Sequence, residues 1–268
     1  MIYRTDYHVH STFSDGKNAP SDYIETAIGN GLSELGFSEH LNLLIPDQQW
    51  CMNPSRIHEY ISHIKRVRRE TKDIEIKIGL EVDFFSGMEK EIFDFINTLD
   101  LDYVIGSVHY LGDTTVDSSQ DFYKDKDLDS VWKSYFDLLF EAVESGLFDI
   151  IGHTDLVRIY NFKPVTDPLP LYMELAHRMS LHDVAFEVNT NGRNRPLGDF
   201  YPDRRYLGVF SRENVPVCVN SDSHFPSRVG QYFDEAYALL RDAGFTEMCT
   251  FKKRERSGIP ADFSELSH

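Results

Sequence analysis

The stretch Asp6-Tyr7-His8-Val9-His10-Ser11-Thr12-Phe13-Ser14-Asp15-Gly16, near the start of the chain, has a distant counterpart in Asn220-Ser221-Asp222-Ser223-His224. Each places two metal-competent side chains at i and i+2, directly after a β-rich apolar run. Residues two apart on a strand face the same side, so His8 can converge with His10, and Asp222 with His224. A chain that supplies such pairs from opposite ends is expected to close a ring around a metal site. That expectation points to hydrolytic metal chemistry.

Between these ends, apolar β-like runs recur, each followed by a polar loop and a stretch of helical periodicity. The pattern predicts strands near 3–9, 34–38, 74–82, 102–108, 149–152, 184–189 and 216–220. It predicts helices near 20–30, 54–72, 88–98, 127–145, 168–182, 203–213 and 231–243. Pro20-Ser21-Asp22, Asn53-Pro54-Ser55 and Asp167-Pro168 supply first-turn chemistry, and Gly244 suits a helix C-terminus. Seven βα units in series predict a parallel α/β fold. No linker, low-complexity segment or repeat divides the chain, so residues 1–268 are expected to form a single domain. A barrel of about seven units is the leading architecture, with a doubly wound open sheet as the alternative.

In such barrels functional groups gather at the C-terminal ends of the strands. His8 and His10 end the first predicted strand, with Asp15 in its loop. The second runs into His40, the third ends with Glu81, the fourth delivers His109 and the fifth His153. The sixth ends at Asn189 and Asn191, ahead of Arg193 and Arg195, and the seventh at Asp222 and His224. Six of the eleven histidines thus fall on one predicted rim. The other five, His58, His63, His177, His182 and His268, read as helix, helix-edge or terminal residues. A single histidine after a strand is more often a hydrogen-bonded loop residue than a ligand, and a lone strand-end glutamate is usually solvated. Nine competent side chains obeying one topological rule outweigh those bland readings.

The bulk composition narrows the partners. With 268 residues, 41% of them hydrophobic, the chain can bury a large core. A net charge of −17 opposes binding to a nucleic-acid backbone or an anionic membrane, so a small-molecule substrate is expected. The basic cluster Lys252-Lys253-Arg254-Glu255-Arg256 reads as a tail too short to reverse that field. Three cysteines without CxxC spacing fit reduced thiols, with Cys218 a buried small hydrophobe. Absent a secretory h-region or a spanning apolar run, a cytoplasmic location is expected. Oligomeric state is not legible.

At these residues the chain resembles the polymerase and histidinol phosphatase (PHP) superfamily. The matching stretches are His8 to Gly16, Phe37-Ser38-Glu39-His40, Gly79-Leu80-Glu81-Val82-Asp83, Gly106-Ser107-Val108-His109, Ile151-Gly152-His153-Thr154-Asp155 and Asn220 to His224. Within it, the chain is similar to the stand-alone histidinol-phosphate phosphatases. The resemblance implies a distorted (β/α)7 barrel with three metal ions at the strand C-termini. It implies one ion held by His8, His10, Glu81 and Asp222, and a second by Glu81, His109 and His153. A third would sit on Asp15, His40 and His224. The family varies at the position of Asp15, where histidine or glutamate also occurs.

Imidazole with carboxylate suits Zn, Fe or Mn without choosing among them. Three divalent ions outweigh Asp15, Glu81 and Asp222, leaving a positive pole for a phosphate dianion of charge about −1.5 to −2. The implied reaction is hydrolysis of L-histidinol phosphate to histidinol and phosphate, in histidine biosynthesis. Its mechanism would be in-line attack by a metal-bridging hydroxide. Asp222 and His224 are the candidates for relaying a proton to the leaving alkoxide. Arg158 and Arg195, then Arg193 and Arg228, are candidates for gripping the phosphate bidentately, and Lys17 follows Asp15. An acidic or aromatic lining is expected around the amine and imidazole. Three readings compete: a PHP phosphoesterase acting on nucleotides or oligonucleotide ends, a catalytically inactive metal-binding scaffold, and an amidohydrolase.

Overall fold

The computed structural model describes residues 3–46 and 48–263, so His268 lies outside the described residues. Seven parallel strands form one sheet in strict chain order. They are β1 (Arg4–Asp6), β2 (Leu32–Leu41), β3 (Glu75–Asp83), β4 (Tyr103–Ser107), β7 (Ile150–Ile151), β8 (Ala185–Asn189) and β9 (Val217–Asn220). The intervening β5 (Tyr110–Leu111) and β6 (Thr114–Thr115) form a hairpin after His109, and β10 (Glu247–Lys252) and β11 (Glu255–Pro260) form a second. Helices α1 (Ile24–Gly29), α2 (Ile57–Glu70), α3 (Glu89–Ile96), α4 (Leu128–Glu144), α5 (Leu169–His182), α6 (Leu207–Arg212) and α7 (Phe233–Ala243) follow the strands in turn. Gly244 ends α7 with φ of 92°, the left-handed cap expected of it.

The sheet curls on itself until its first and last strands meet. Val9 bridges Ser223 in parallel: His10 N–H donates to the Ser223 carbonyl at 2.9 Å, and Ser223 N–H to that of His8 at 3.0 Å. Below this bridge the seam is held by side chains. Ser221 N–H donates to Asp6 Oδ1 at 2.9 Å and Tyr7 N–H to Asn220 Oδ1 at 2.8 Å. The regular β1 is therefore shorter than the predicted 3–9, because the closing contacts are not a continuous ladder.

The barrel interior is packed. Tyr103 crosses it from β4, and a Cβ on Gly36 or Gly79 would lie 2.3 Å from its side chain, so glycine is required at both positions. Its hydroxyl donates to the Tyr7 carbonyl at 2.6 Å. The lower layer also includes Tyr7, Ile105, Ile150, Ala185 and Cys218, with Cys249 and Phe251 from β10. The basic cluster is accordingly no loose tail. Lys253 and Arg254 turn the second hairpin with φ of 52° and 66°, and Arg254 Nε binds Asp149 at 2.7 Å. Neither hairpin was foreseen: β5 and β6 have two residues each, and the strands of the second, six residues each, carry many polar residues and lead into no α-helix among the described residues.

Candidate metal centre

The strand ends bring all nine anticipated side chains to one place. Glu81, 1% exposed at the end of β3, stands at the middle. Its Oε1 lies 3.0 Å from His153 Nε2 and 3.6 Å from His109 Nε2, and accepts from Ser107 Oγ at 2.7 Å. Its Oε2 lies 2.6 Å from His40 Nδ1, 3.1 Å from His8 Nε2 and 3.4 Å from His10 Nε2. Asp222 Oδ1 is 3.5 Å from His10 Nε2 and 3.9 Å from His8 Nε2. Asp15 Oδ1 is 3.1 Å from His224 Nε2 and 3.7 Å from His40 Nε2.

Four overlapping groups have donor atoms within 4.8 Å of one another. They are His8-His10-Asp222, His8-Glu81-His153, His40-Glu81-His109 and His10-Asp15-His40-His224. The donor set fits a metal on independent grounds. His10 Nδ1 and His153 Nδ1 are buried without a hydrogen-bond partner, and His8 Nε2, His10 Nε2, Asp15 Oδ1 and Glu81 Oε2 crowd one another without hydrogen-bond geometry. Buried polar atoms are normally satisfied, and so many orphans in one cluster of borderline donors call for cations.

A second layer aims these donors, and sequence reading missed it. Glu187, fully buried on β8, faces His8 Nδ1 at 3.0 Å and accepts from His153 N–H at 2.8 Å and Asn220 Nδ2 at 2.7 Å. Asp83 Oδ1 holds His109 Nδ1 at 2.6 Å. Glu39 accepts from the backbone N–H groups of Ser11 and Ser14 at 3.1 Å, fixing the loop that presents Asp15. Such carboxylates set ring orientation and donor basicity. The available signal was a charged residue inside an apolar strand, as in Ala185-Phe186-Glu187-Val188, which a buried role requires.

The electrostatics describe a site short of positive charge. Burial alone would push His8 down, but Glu187, Glu81 and Asp222 outweigh it and lift its pKa well above the ordinary value. His40 rises to about 9 against its burial, chiefly through Glu81, and His109 to about 10, chiefly through Asp83. His10 falls to about 3 through burial and the neighbouring His40 and His224. Burial opposes ionisation of Glu81 and Asp222, yet the imidazoles around them hold both well below the usual carboxylate range. Protons on imidazole stand where divalent charge would otherwise sit, so metal binding must displace them.

Above the donors opens a cavity of about 360 Å³. Asp15, His40, His109, His153, Asp222 and His224 form its floor, with Trp50, Asp117, Asn191, Arg195 and Tyr201 among its walls. Of the four arginines singled out from sequence, Arg195 alone lines it. Arg158 is 5% exposed and binds Asp155 at 2.9 Å and the Phe200 carbonyl at 3.3 Å, facing a neighbouring pocket. Arg193 pairs with Glu235 at 3.0 Å, and Arg228 lies over the Phe225 ring. The structure does not bring these three to the cavity, because local acidic and aromatic partners claim them first.

A closed parallel barrel with imidazole and carboxylate donors crowded on its strand C-termini defines the metal-dependent barrel hydrolases as a class. The PHP domain family matches residues 6–191, and the chain belongs to that family. It is 33% identical to the "Probable histidinol-phosphatase" of Deinococcus radiodurans, over 93% of this chain and 97% of that one. It is 31% identical to the histidinol-phosphatase of Lactococcus lactis subsp. lactis, covering 98% of each. A crystal structure of the histidinol phosphate phosphatase of Lactococcus lactis, complexed with Zn, L-histidinol and phosphate, has a TM-score of 0.84 at 28% identity. That comparison covers 96% of this chain and 100% of the other.

Proposed function

We propose that the chain is a metal-dependent phosphatase that hydrolyses L-histidinol phosphate to L-histidinol and phosphate, as a cytoplasmic enzyme of histidine biosynthesis. The observation that carries this reading is the convergence of nine buried or half-buried donors beneath one cavity, in a chain similar over nearly its full length to histidinol-phosphatases. No helix among the described residues is long and apolar enough to cross a membrane.

Three ions would divide the donors as His8, His10, Glu81 and Asp222; Glu81, His109 and His153; and Asp15, His40 and His224. All nine donors fall within the four groups, which supports a polynuclear centre, although His153 is grouped with His8 and Glu81, and His109 with His40 and Glu81, rather than with each other. Bound ions of this kind lower the pKa of coordinated water and neutralise charge on the phosphoryl oxygens. The chain's own groups do the rest. Asp222, whose Oδ1 faces His8 and His10 while Asn189 Nδ2 donates to its Oδ2 at 3.3 Å, is a candidate for relaying a proton toward the leaving alkoxide. His224, with Nδ1 3.1 Å from the Asp222 carbonyl and Nε2 3.1 Å from Asp15 Oδ1, is the second candidate for that relay. Arg195 lines the cavity without an ion-pair partner among the described residues, which suits it to grip the phosphate. The Tyr201 hydroxyl, buried on the same wall without a hydrogen-bond partner, is a neutral donor for a phosphoryl oxygen.

Steady-state kinetics on histidinol phosphate, other phosphate monoesters and single-stranded DNA ends, with metal analysis of the same sample, tests this reading. Histidinol phosphate should give the highest kcat/KM, and chelation should abolish turnover. Faster hydrolysis of nucleotides or DNA ends would replace the substrate. Bound metal without chelator-sensitive hydrolysis would leave only a scaffold.

A further inference from the structure

The metal floor accounts for the phosphate but not for the rest of the substrate, and the cavity rim carries two groups that the chemistry above leaves unused. Asp117 lines the cavity, and its carboxylate has no hydrogen-bond or ion-pair partner among the described residues. An unpaired carboxylate at the mouth of a site built for a dianion would repel that dianion, unless the same ligand also carries a cation. Trp50 lines the cavity as well, its ring 4.9 Å from that of His40 and 5.5 Å from that of His109.

Both groups are held by fixed structure. The β5–β6 hairpin springs directly from His109: Val116 N–H returns to the His109 carbonyl at 2.8 Å. Tyr123 Oη ties the Val116 carbonyl to that of Val157, at 3.0 and 2.9 Å, and Tyr160 Oη donates to the Asp117 carbonyl at 2.6 Å. The backbone of Asp117 is thus anchored from two sides while its side chain stays free. Trp50 stacks at 23° against Tyr110 of the same hairpin. The hairpin therefore sets the acidic group and the aromatic face together, both beside His109.

From this geometry we infer that Asp117 is the specificity-determining residue of the cavity: it pairs with a cationic nitrogen on the organic half of the phosphate monoester, while Trp50 walls a flat ring beside it. The inference rests on the phosphatase reading and names what that site selects. A zwitterionic monoester, phosphate at one end and ammonium or imidazolium at the other, matches a cationic floor and an acidic rim. A monoester with an uncharged organic half gains nothing from Asp117, and a nucleotide brings further negative charge toward it.

The test compares Asp117→Asn and Asp117→Glu with the unaltered protein on histidinol phosphate and on p-nitrophenyl phosphate, whose organic half is uncharged, with metal content measured throughout. A charged hydrogen bond of ordinary strength predicts that Asp117→Asn loses about 10–100-fold in kcat/KM on histidinol phosphate, mainly through KM. Turnover of p-nitrophenyl phosphate and metal content should change less than about twofold, and Asp117→Glu should recover part of the loss. O-phosphoethanolamine, which keeps the ammonium without the ring, should lose activity with Asp117→Asn if the ammonium is the partner, and should be indifferent if the ring is. Equal loss on both principal substrates, or no loss on either, would overturn the inference. L-Histidinol as a competitive inhibitor of p-nitrophenyl phosphate hydrolysis separates the two levels of argument. If the unaltered protein ignores histidinol phosphate, the proposed function fails. A Ki for histidinol that still rises about tenfold or more in Asp117→Asn then sustains the subsite, and an unchanged Ki removes it.

Discussion

The two ends of this barrel treat buried charge in opposite ways. At the lower end four cations among the described residues each meet a carboxylate. Arg254 joins Asp149 and the Leu147 carbonyl, Arg68 joins Asp102, Arg256 joins Asp183, and Lys77 lies 2.8 Å from Glu75 and 3.3 Å from Glu34. At the upper end carboxylates and imidazoles face one another with orphaned atoms and no lysine or arginine among the nine donors. Burying polar atoms unpaired costs stability, so the upper end is expensive unless something else enters it. The contrast separates the end that holds the fold together from the end that binds.

The largest effect should follow from cutting into the upper end. His8→Ala with His10→Ala should reduce bound metal and bring hydrolysis to background, while far-ultraviolet circular dichroism stays that of a folded barrel. Unchanged metal content and activity would remove the proposed site. One layer out, Glu187→Gln keeps the shape but weakens the acceptor that orients His8. It should cost about 10–100-fold in metal affinity or turnover, measured by competition with a chromogenic chelator. A loss confined to thermal stability would make Glu187 part of the supporting frame only.

A pH experiment sharpens the comparison without a mutation. In metal-free protein His40 and His109 hold protons up to about 9 and about 10, whereas in the unfolded chain they release them near 6.5. The folded state then binds more protons than the unfolded one, so this contribution is complete below about pH 6.5 and disappears as pH rises toward 9 to 10. Melting temperature of the chelated protein should fall across that window. Added metal should release protons and flatten the decline. A chelated protein that grows more stable from pH 7 to 9 would contradict the charge balance described for the donors.

The smallest effect on catalysis should come from the lower end. Arg254→Ala strands Asp149 and loosens the second hairpin, and should cost about 1–3 kcal/mol of stability with kcat unchanged. Thermal unfolding and steady-state kinetics on one preparation check both halves. A fall in kcat without a fall in melting temperature would show the two ends to be coupled.

Much of this was legible in one dimension because strand ends carry their own marks. His8, His40, Glu81, His109, His153 and Asp222 each follow an apolar run that had to be a buried parallel strand, so their order predicted one rim. The arginines misled for the converse reason. Arg158 and Arg193 stand on loops after strands, as phosphate-binding residues would, but Asp155 and Glu235 reach them through contacts that no spacing reveals. Asp117 and Trp50 carried no signal at all, since they lie in loops whose course depends on the short hairpin after His109.

The sequence by itself determined the series of βα units, the residues at the strand ends and the metal-binding character of that set, because periodicity and local order are properties of adjacent residues. Only the tertiary structure decided which donors share a neighbour, which carboxylates stand behind them and which charges remain unpaired. Closing β1 onto β9 brings Asp222 within 3.5 Å of the His10 ring, and the distance between residues more than two hundred positions apart is a property of barrel closure, not of the chain.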